Sequence, residues 1–233
     1  MPFQFQFDPV IAEWRMIAAG VLLTIQLSVA AILLGFGVAV LMSAARSMGP
    51  RWLRVAVDAY VELLRNTPFL VQLFMVFFGL PELGIRLSAA QAALLAMTLN
   101  LSAYATEIIR AGVESIHHSQ VEAGHALALT SRQVFQHVIL IPAVAKVWPA
   151  LSSQFVLMLL ASSVTSFISV QELSGTAAVI ESRSFRSFES YIVATVIYLG
   201  LALCLKSILY GVGRFAFPRV SGLARVQAKG ESA

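Results

Sequence analysis

Five stretches of this 233-residue chain, 16–45, 66–81, 87–106, 147–171 and 190–205, contain no Asp, Glu, Lys or Arg. A helix rises about 1.5 Å per residue, so roughly 20 apolar residues cross the hydrocarbon core of a bilayer. The chain is 58% apolar and only 12% charged, far from the composition of a soluble domain. The expectation is an all-α membrane protein with about five transmembrane helices, over 16–42, 55–80, 87–109, 143–169 and 189–213, forming one transmembrane domain over 1–233. The second span borrows residues upstream of 66, past Arg65 and Glu62. The last runs past Lys206, whose long stem can snorkel to the interface.

Basic residues in short connections set orientation. With the N-terminus outside, the inner flanks hold Arg46, Arg51, Arg54, Arg110, Arg132, Lys146, Arg214, Arg219, Arg225 and Lys229, ten against Arg15, Arg86, Arg183 and Arg186 outside. The N-terminus is therefore expected outside and the C-terminus in the cytosol, with a polar cytosolic tail over 218–233 and a cytosolic loop over about 115–137. The lead-in "MPFQFQFDPVIAEWR" has no basic region and no small-residue cleavage site follows, so the first span is expected to stay in the mature protein. The sequence pI near 9.6 is explained by this inner rim of charge and attraction to membrane lipid, without nucleic acid. Cys204 is the only cysteine, so there is no disulfide framework to read.

The cytosolic loop holds "SQVEAGHALALTSRQ", residues 119–133. Ser119 and Glu122 have the spacing of a capping box, and Thr130 and Gln133 repeat it. The spacing predicts a short helix over about 120–129 and a second start near 131. Gly124 costs about 1 kcal/mol relative to Ala inside a helix, so it asks for a close neighbour. On local pattern alone, a helix that plugs into a partner and a plain connector are equally open.

Several blocks carry a resemblance. Glu122-Ala123-Gly124, with Ala128 four residues on and "VILIPA" with Pro142 beyond, resembles the Glu-Ala-Ala loop of ABC-importer permease subunits. Ala128 stands at that pattern's glycine position, and Gln120 fits the glutamine that precedes the loop. "RNTPFLVQ" (65–72), "AYATEIIRAG" (103–112) and "ISVQEL" (168–173) are similar to blocks of the permeases for polar amino acids. The resemblance spans roughly 17–210. It departs at "LASSVTS", where many members carry a Lys near Leu160, and that departure leaves the substrate unassigned.

What the resemblance implies is a pore-forming subunit of an ATP-driven importer for polar amino acids or close relatives in the bacterial cytoplasmic (inner) membrane. Such a subunit is not itself an enzyme and binds no cofactor. ATP and Mg belong to a cytosolic ATPase dimer, the substrate arrives on an external binding protein, and the pore needs a second permease subunit, the same chain or a paralogue. The loop residues Gln120, Glu122, Ala123, Gly124 and Ala128 would form the coupling helix between spans three and four. An ATP-independent secondary carrier or channel is the alternative.

Inside the spans, Pro68 removes a helical hydrogen bond beside Asn66 and Thr67. Asn66, Thr67, Gln72, Asn100 and Gln154 are the candidates for the translocation path, with helix–helix glue the competing role. Glu107 and Arg110, spaced i, i+3, are expected to pair as a structural pin. The four histidines, His117, His118, His125 and His137, all fall in the cytosolic segment at no recognised ligand spacing, so no metal site is expected. No Walker loop is present, so ATP hydrolysis by this chain is not expected.

Overall fold

The computed structural model describes residues 5–217, and within them it contains helices and no strands. We number α1 Trp14–Met48, α2 Arg51–Arg65, α3 Phe69–Glu82, α4 Ala89–Glu114, α5 His118–Ala126, α6 Ser131–Ile168, α7 Leu173–Ser184 and α8 Ser187–Ala216. Four of these, α1, α4, α6 and α8, are long and apolar enough to cross a membrane unaided. The tail expected over 218–233 lies outside the described residues.

The second expected span, 55–80, needs correction: α2 and α3 meet at a bend of 107°. Pro68 has no N–H to donate, and its ring disfavours helix at Thr67. Composition explains the rest, because α2 carries Arg51, Arg54, Asp58, Glu62 and Arg65 and is amphipathic rather than apolar. It buries Val57 and Val61 and leaves Trp52, Val55 and Leu63 exposed.

Proline also shapes the other irregular segments. A wide π turn over Met75–Gly79 precedes Pro81, and another over Val134–Leu140 precedes Pro142. In both cases the widening lies just upstream of a residue that cannot donate to the carbonyl four back. The end of α6 tightens instead to 3₁₀ over Ser162–Ile168, where Ser162, Ser163, Thr165 and Ser166 each donate to the carbonyl three residues back.

The core is a seam of α4 between α1 and α6, filled by Leu73, Met97, Leu101, Ile109, Leu151 and Met158. Lipid tails are as apolar as these side chains, so close approach has to supply the cohesion. At Gly112 an added Cβ would stand 2.8 Å from the Ala143 carbonyl oxygen; α4 and α6 touch backbone to backbone there. The C-terminal ends of α1 and α4 lie at the same end of the bundle, the one that carries α5, joined by Arg46 and Glu114 at 3.8 Å.

At the opposite end α7 forms a helix absent from the sequence reading. Its N-cap is Glu172, whose carboxylate is wholly buried and accepts from the Gly175 amide at 2.9 Å, the Thr24 hydroxyl at 3.3 Å and the Tyr198 hydroxyl. One carboxylate thus ties α1, α7 and α8 together. At the start of α8 the Gln6 amide donates to the buried Glu189, which docks the N-terminal lead-in there.

Candidate functional site

The elbow between α2 and α3 is held by one amide. Gln72 donates to the Leu64 carbonyl at 2.7 Å, the Thr67 carbonyl at 3.1 Å and the Thr67 hydroxyl at 2.8 Å, satisfying groups that Pro68 frees. Its own carbonyl accepts from Asn100 at 2.9 Å, which fixes the elbow to α4. Gln72 and Asn100 are buried. Thr67, Gln72 and Asn100 thus close the break. Gln154 lies half-buried on α6.

Beside the elbow, six charged side chains alternate in sign across three helices. Asp58 contacts Arg46 at 2.6 Å, Arg46 reaches Glu114 at 3.8 Å, and Glu114 contacts Arg110 at 2.6 Å. Arg110 grips Glu107 with two hydrogen bonds, at 2.8 and 2.7 Å, and Glu107 reaches Arg65 at 3.4 Å. The guanidinium of Arg65 also lies over the Tyr104 ring, 5.6 Å from its centroid. A single exposed ion pair is worth about 0–1 kcal/mol in water. Near membrane depth an unpaired charge costs more than that, so an alternating chain is the arrangement such charges require. Sequence spacing identified the Glu107–Arg110 pair; Arg46, Asp58, Arg65 and Glu114 were missed because they come from other helices or, for Glu114, from one further turn of α4.

The chain of charges forms one wall of a cleft of about 420 Å3 lined by Arg46, Asp58, Val61, Glu62, Arg65, Asn66, Tyr104, Glu107 and Arg110. Of the five residues expected on the translocation path, Asn66 alone lines it.

The loop helix also differs from expectation. α5 starts at His118, because the His117 ring takes the N-cap role and accepts the Ser119 amide at 3.3 Å. The expected Ser119–Glu122 box does not form: the Ser119 hydroxyl bonds the His117 ring at 2.7 Å, and Glu122 sits 3.1 Å from His118. The second box, Thr130 with Gln133, is present. α5 ends earlier than expected, at Ala126, in a left-handed turn at Ala128 with φ 56°. The Ala128 amide bonds His125 O at 2.9 Å and the Leu129 amide bonds Gly124 O at 3.2 Å, the two bonds of a Schellman close. A left-handed residue is favoured as glycine, which explains the glycine in the resembling pattern.

Gly124 is buried, and a Cβ there would meet Val134 at 3.2 Å and Val138 at 3.4 Å. Its small size seats α5 against the start of α6, within the chain itself. Gln120, Glu122, Ala123 and Ala128 face outward, and Leu127 at the tip is 77% exposed. An exposed leucine on a short rigid helix is a surface that a second protein can cover.

Comparison with known proteins places these features. Residues 31–216 match the family model described as binding-protein-dependent transport system inner membrane component. The chain is similar to a putative glutamine transport system permease protein of Rickettsia bellii, 30% identical over 193 residues, 82% of this chain and 88% of that one. It is similar also to the L-cystine transport system permease protein of Bacillus subtilis, 33% identical over 202 residues, 86% of each chain. Among solved structures, an amino acid ABC transporter with histidines superposes with a TM-score of 0.82 at 29% identity, covering 91% of this chain and 99% of that one. The chain therefore belongs to the family of inner-membrane components of binding-protein-dependent transport systems, among the amino-acid ABC transport permeases.

Proposed function

We propose that this permease forms half of the pore of an ATP-driven importer for polar amino acids or close relatives, with ATP bound and hydrolysed on Mg by a separate cytosolic ATPase dimer. An external binding protein delivers the substrate, and a second permease subunit, a copy or a paralogue, completes the pore. The N-terminus faces outward and α5 faces the cytosol, where it docks in the ATPase and passes its closure to the spans. Nucleotide state and pore state are then two coupled equilibria.

The observation that carries the coupling role is the shape of α5: a short helix capped at both ends and seated through Gly124 on α6, with Leu127 projecting. Seating matters because the helix has to transmit force, and Gly124 joins it to a membrane span without a flexible joint. The test is co-purification of the ATPase with detergent-extracted permease. Leu127→Asp, changing only an exposed tip, should leave expression and melting unchanged and lose most of the ATPase. Gly124→Leu should lose the ATPase too, but with a lowered melting point, because the added bulk meets Val134 and Val138. Full ATPase retention and full transport in Leu127→Asp would overturn docking at α5.

A further inference from the structure

α2 has three faces. Val57 and Val61 turn inward, on to the bundle. Arg51, Arg54, Asp58, Glu62 and Arg65, spaced three and four apart, share a second face. A third carries Trp52, Val55, Ala59 and Leu63, again three and four apart and all exposed, Trp52 at 69% and Leu63 at 65%. Apolar side chains exposed on a membrane protein are ordinary; what sets this stripe apart is its place and its charged edge. α2 begins three residues after α1 ends at Met48, where the ends of α1 and α4 meet, so its first turn lies at a membrane face. Arg51, in that turn, has no ion-pair or hydrogen-bond partner among the described residues. Arg54 donates through Nε to the Arg46 carbonyl at 3.2 Å, which steadies its fork and leaves four N–H donors uncommitted. Of the carboxylates on the same face, Asp58 is taken by Arg46 at 2.6 Å, and Glu62 stands about two turns beyond Arg54.

We infer that the start of α2 is a site for an anionic phospholipid. Arg51 and Arg54 hold the phosphodiester, the Trp52 ring sits at head-group level, and Val55, Ala59 and Leu63 lie along the acyl chains. A guanidinium fork matches phosphate oxygens, and an aromatic ring with one apolar side suits the interface. Such a lipid supplies both halves of the surface at once, apolar chains for the stripe and negative charge for its edge. A protein on the stripe would have to bring carboxylates against Arg51 and Arg54, and a second copy of this face brings two more arginines instead. A zwitterionic lipid carries the phosphate too, but its ammonium meets the same two guanidinium groups. Arg54 bonds the backbone of Arg46, whose side chain reaches Asp58 and Glu114, so the bound head group adjoins the charges that join α1, α2 and α4. Either membrane face would serve, so the site does not depend on which side is cytosolic.

The experiment reconstitutes the full-length permease in vesicles whose leaflets are alike. It reads quenching of Trp52 emission, taken as parent minus Trp52→Phe, by brominated phosphatidylglycerol or brominated phosphatidylcholine at equal mole fraction. Phosphatidylglycerol should quench more strongly, by a local enrichment of roughly fivefold per arginine, the ratio that about 1 kcal/mol per basic residue gives. Arg51→Gln with Arg54→Gln should remove the enrichment and keep the quenching by phosphatidylcholine, which shows that Trp52 is still in place. Arg51→Lys with Arg54→Lys should keep most of the enrichment, and Arg132→Gln, a basic residue at the start of α6, should keep all of it. Equal quenching by the two lipids in the parent would make the stripe an ordinary lipid-facing surface. Quenching by neither would mean that a protein covers it, and enrichment that survives the Gln double would assign the anion to other residues. Each of these overturns the site. If the Gln double loses both signals, the Lys double decides, and loss of its enrichment overturns the site as well.

Discussion

Ala128 adopts a conformation that its side chain disfavours. Its φ of 56° is left-handed, and its amide and that of Leu129 close the end of α5. Left-handed backbone costs an L-residue about 1–2 kcal/mol, so Ala128→Gly is expected to stabilise the loop by about 1 kcal/mol. Slower amide exchange at Ala128 and Leu129 would register it; faster exchange would mean that the turn is not what limits the loop. Glu107 makes the opposite point about sequence spacing. Its i, i+3 partner Arg110 was legible from the chain, whereas Arg65, which shares its Oε1 oxygen, was not. Glu107→Lys should therefore impair transport, and the charge-swapped double, Glu107→Arg with Arg110→Glu, should recover little. The swap restores the pair but sets a guanidinium at position 107 beside Arg65 and a carboxylate at position 110 beside Glu114. Recovery of more than half the lost transport would mean that the pair acts alone.

The elbow shows what periodicity can and cannot reveal about an element. Pro68 announced the break, since a missing N–H is a local fact. The closure of the break was not legible, because Gln72 and Asn100 are 28 residues apart and only the fold brings their amides together. Likewise α7 is short and of mixed polarity, and its start depends on Thr24 and Tyr198 converging on Glu172 from two other helices. Among the polar residues in apolar runs, Gln72 bonds the Leu64 and Thr67 backbone carbonyls and the Thr67 hydroxyl, and Asn100 bonds Gln72. Gln72→Leu strips partners from the Leu64 and Thr67 carbonyls and from the Asn100 amide. Each buried orphan costs about 1–3 kcal/mol, so a loss of about 2 kcal/mol or more is expected, read as a lowered midpoint of thermal unfolding in detergent. The double variant with Asn100→Leu should cost less than the sum of the singles, because one orphan disappears with its partner. An unchanged midpoint in Gln72→Leu would show that water, not Gln72, satisfies the elbow.

For the whole molecule, the decisive question is whether the bent pair α2–α3 crosses the membrane or dips in and returns. The distance between Arg46 and Glu114, 3.8 Å, favours a crossing. These residues end α1 and α4, so the two helices point the same way, and the chain has to travel the full depth of the bundle between Met48 and Ala89. A re-entrant pair would bring Leu83 back beside Met48 and reverse α4. Counted as a crossing, the pair makes five, which puts the start of α1 and the end of α8 on opposite faces. Arg46, Arg51, Arg54, Arg110, Arg132 and Lys146 then gather on the α5 side, the side proposed above as cytosolic. A reporter fused after Arg132 should thus read cytosolic, and reporters inserted at Gly84, in the α3–α4 turn, and near Ser184 should read external. The Gly84 position tells the two arrangements apart, because its left-handed turn, φ 83°, lies in a connection where nothing crowds an insertion. A cytosolic signal at Gly84 would make the pair re-entrant, and an external one at Arg132 would invert the permease and remove α5 from reach of any ATPase.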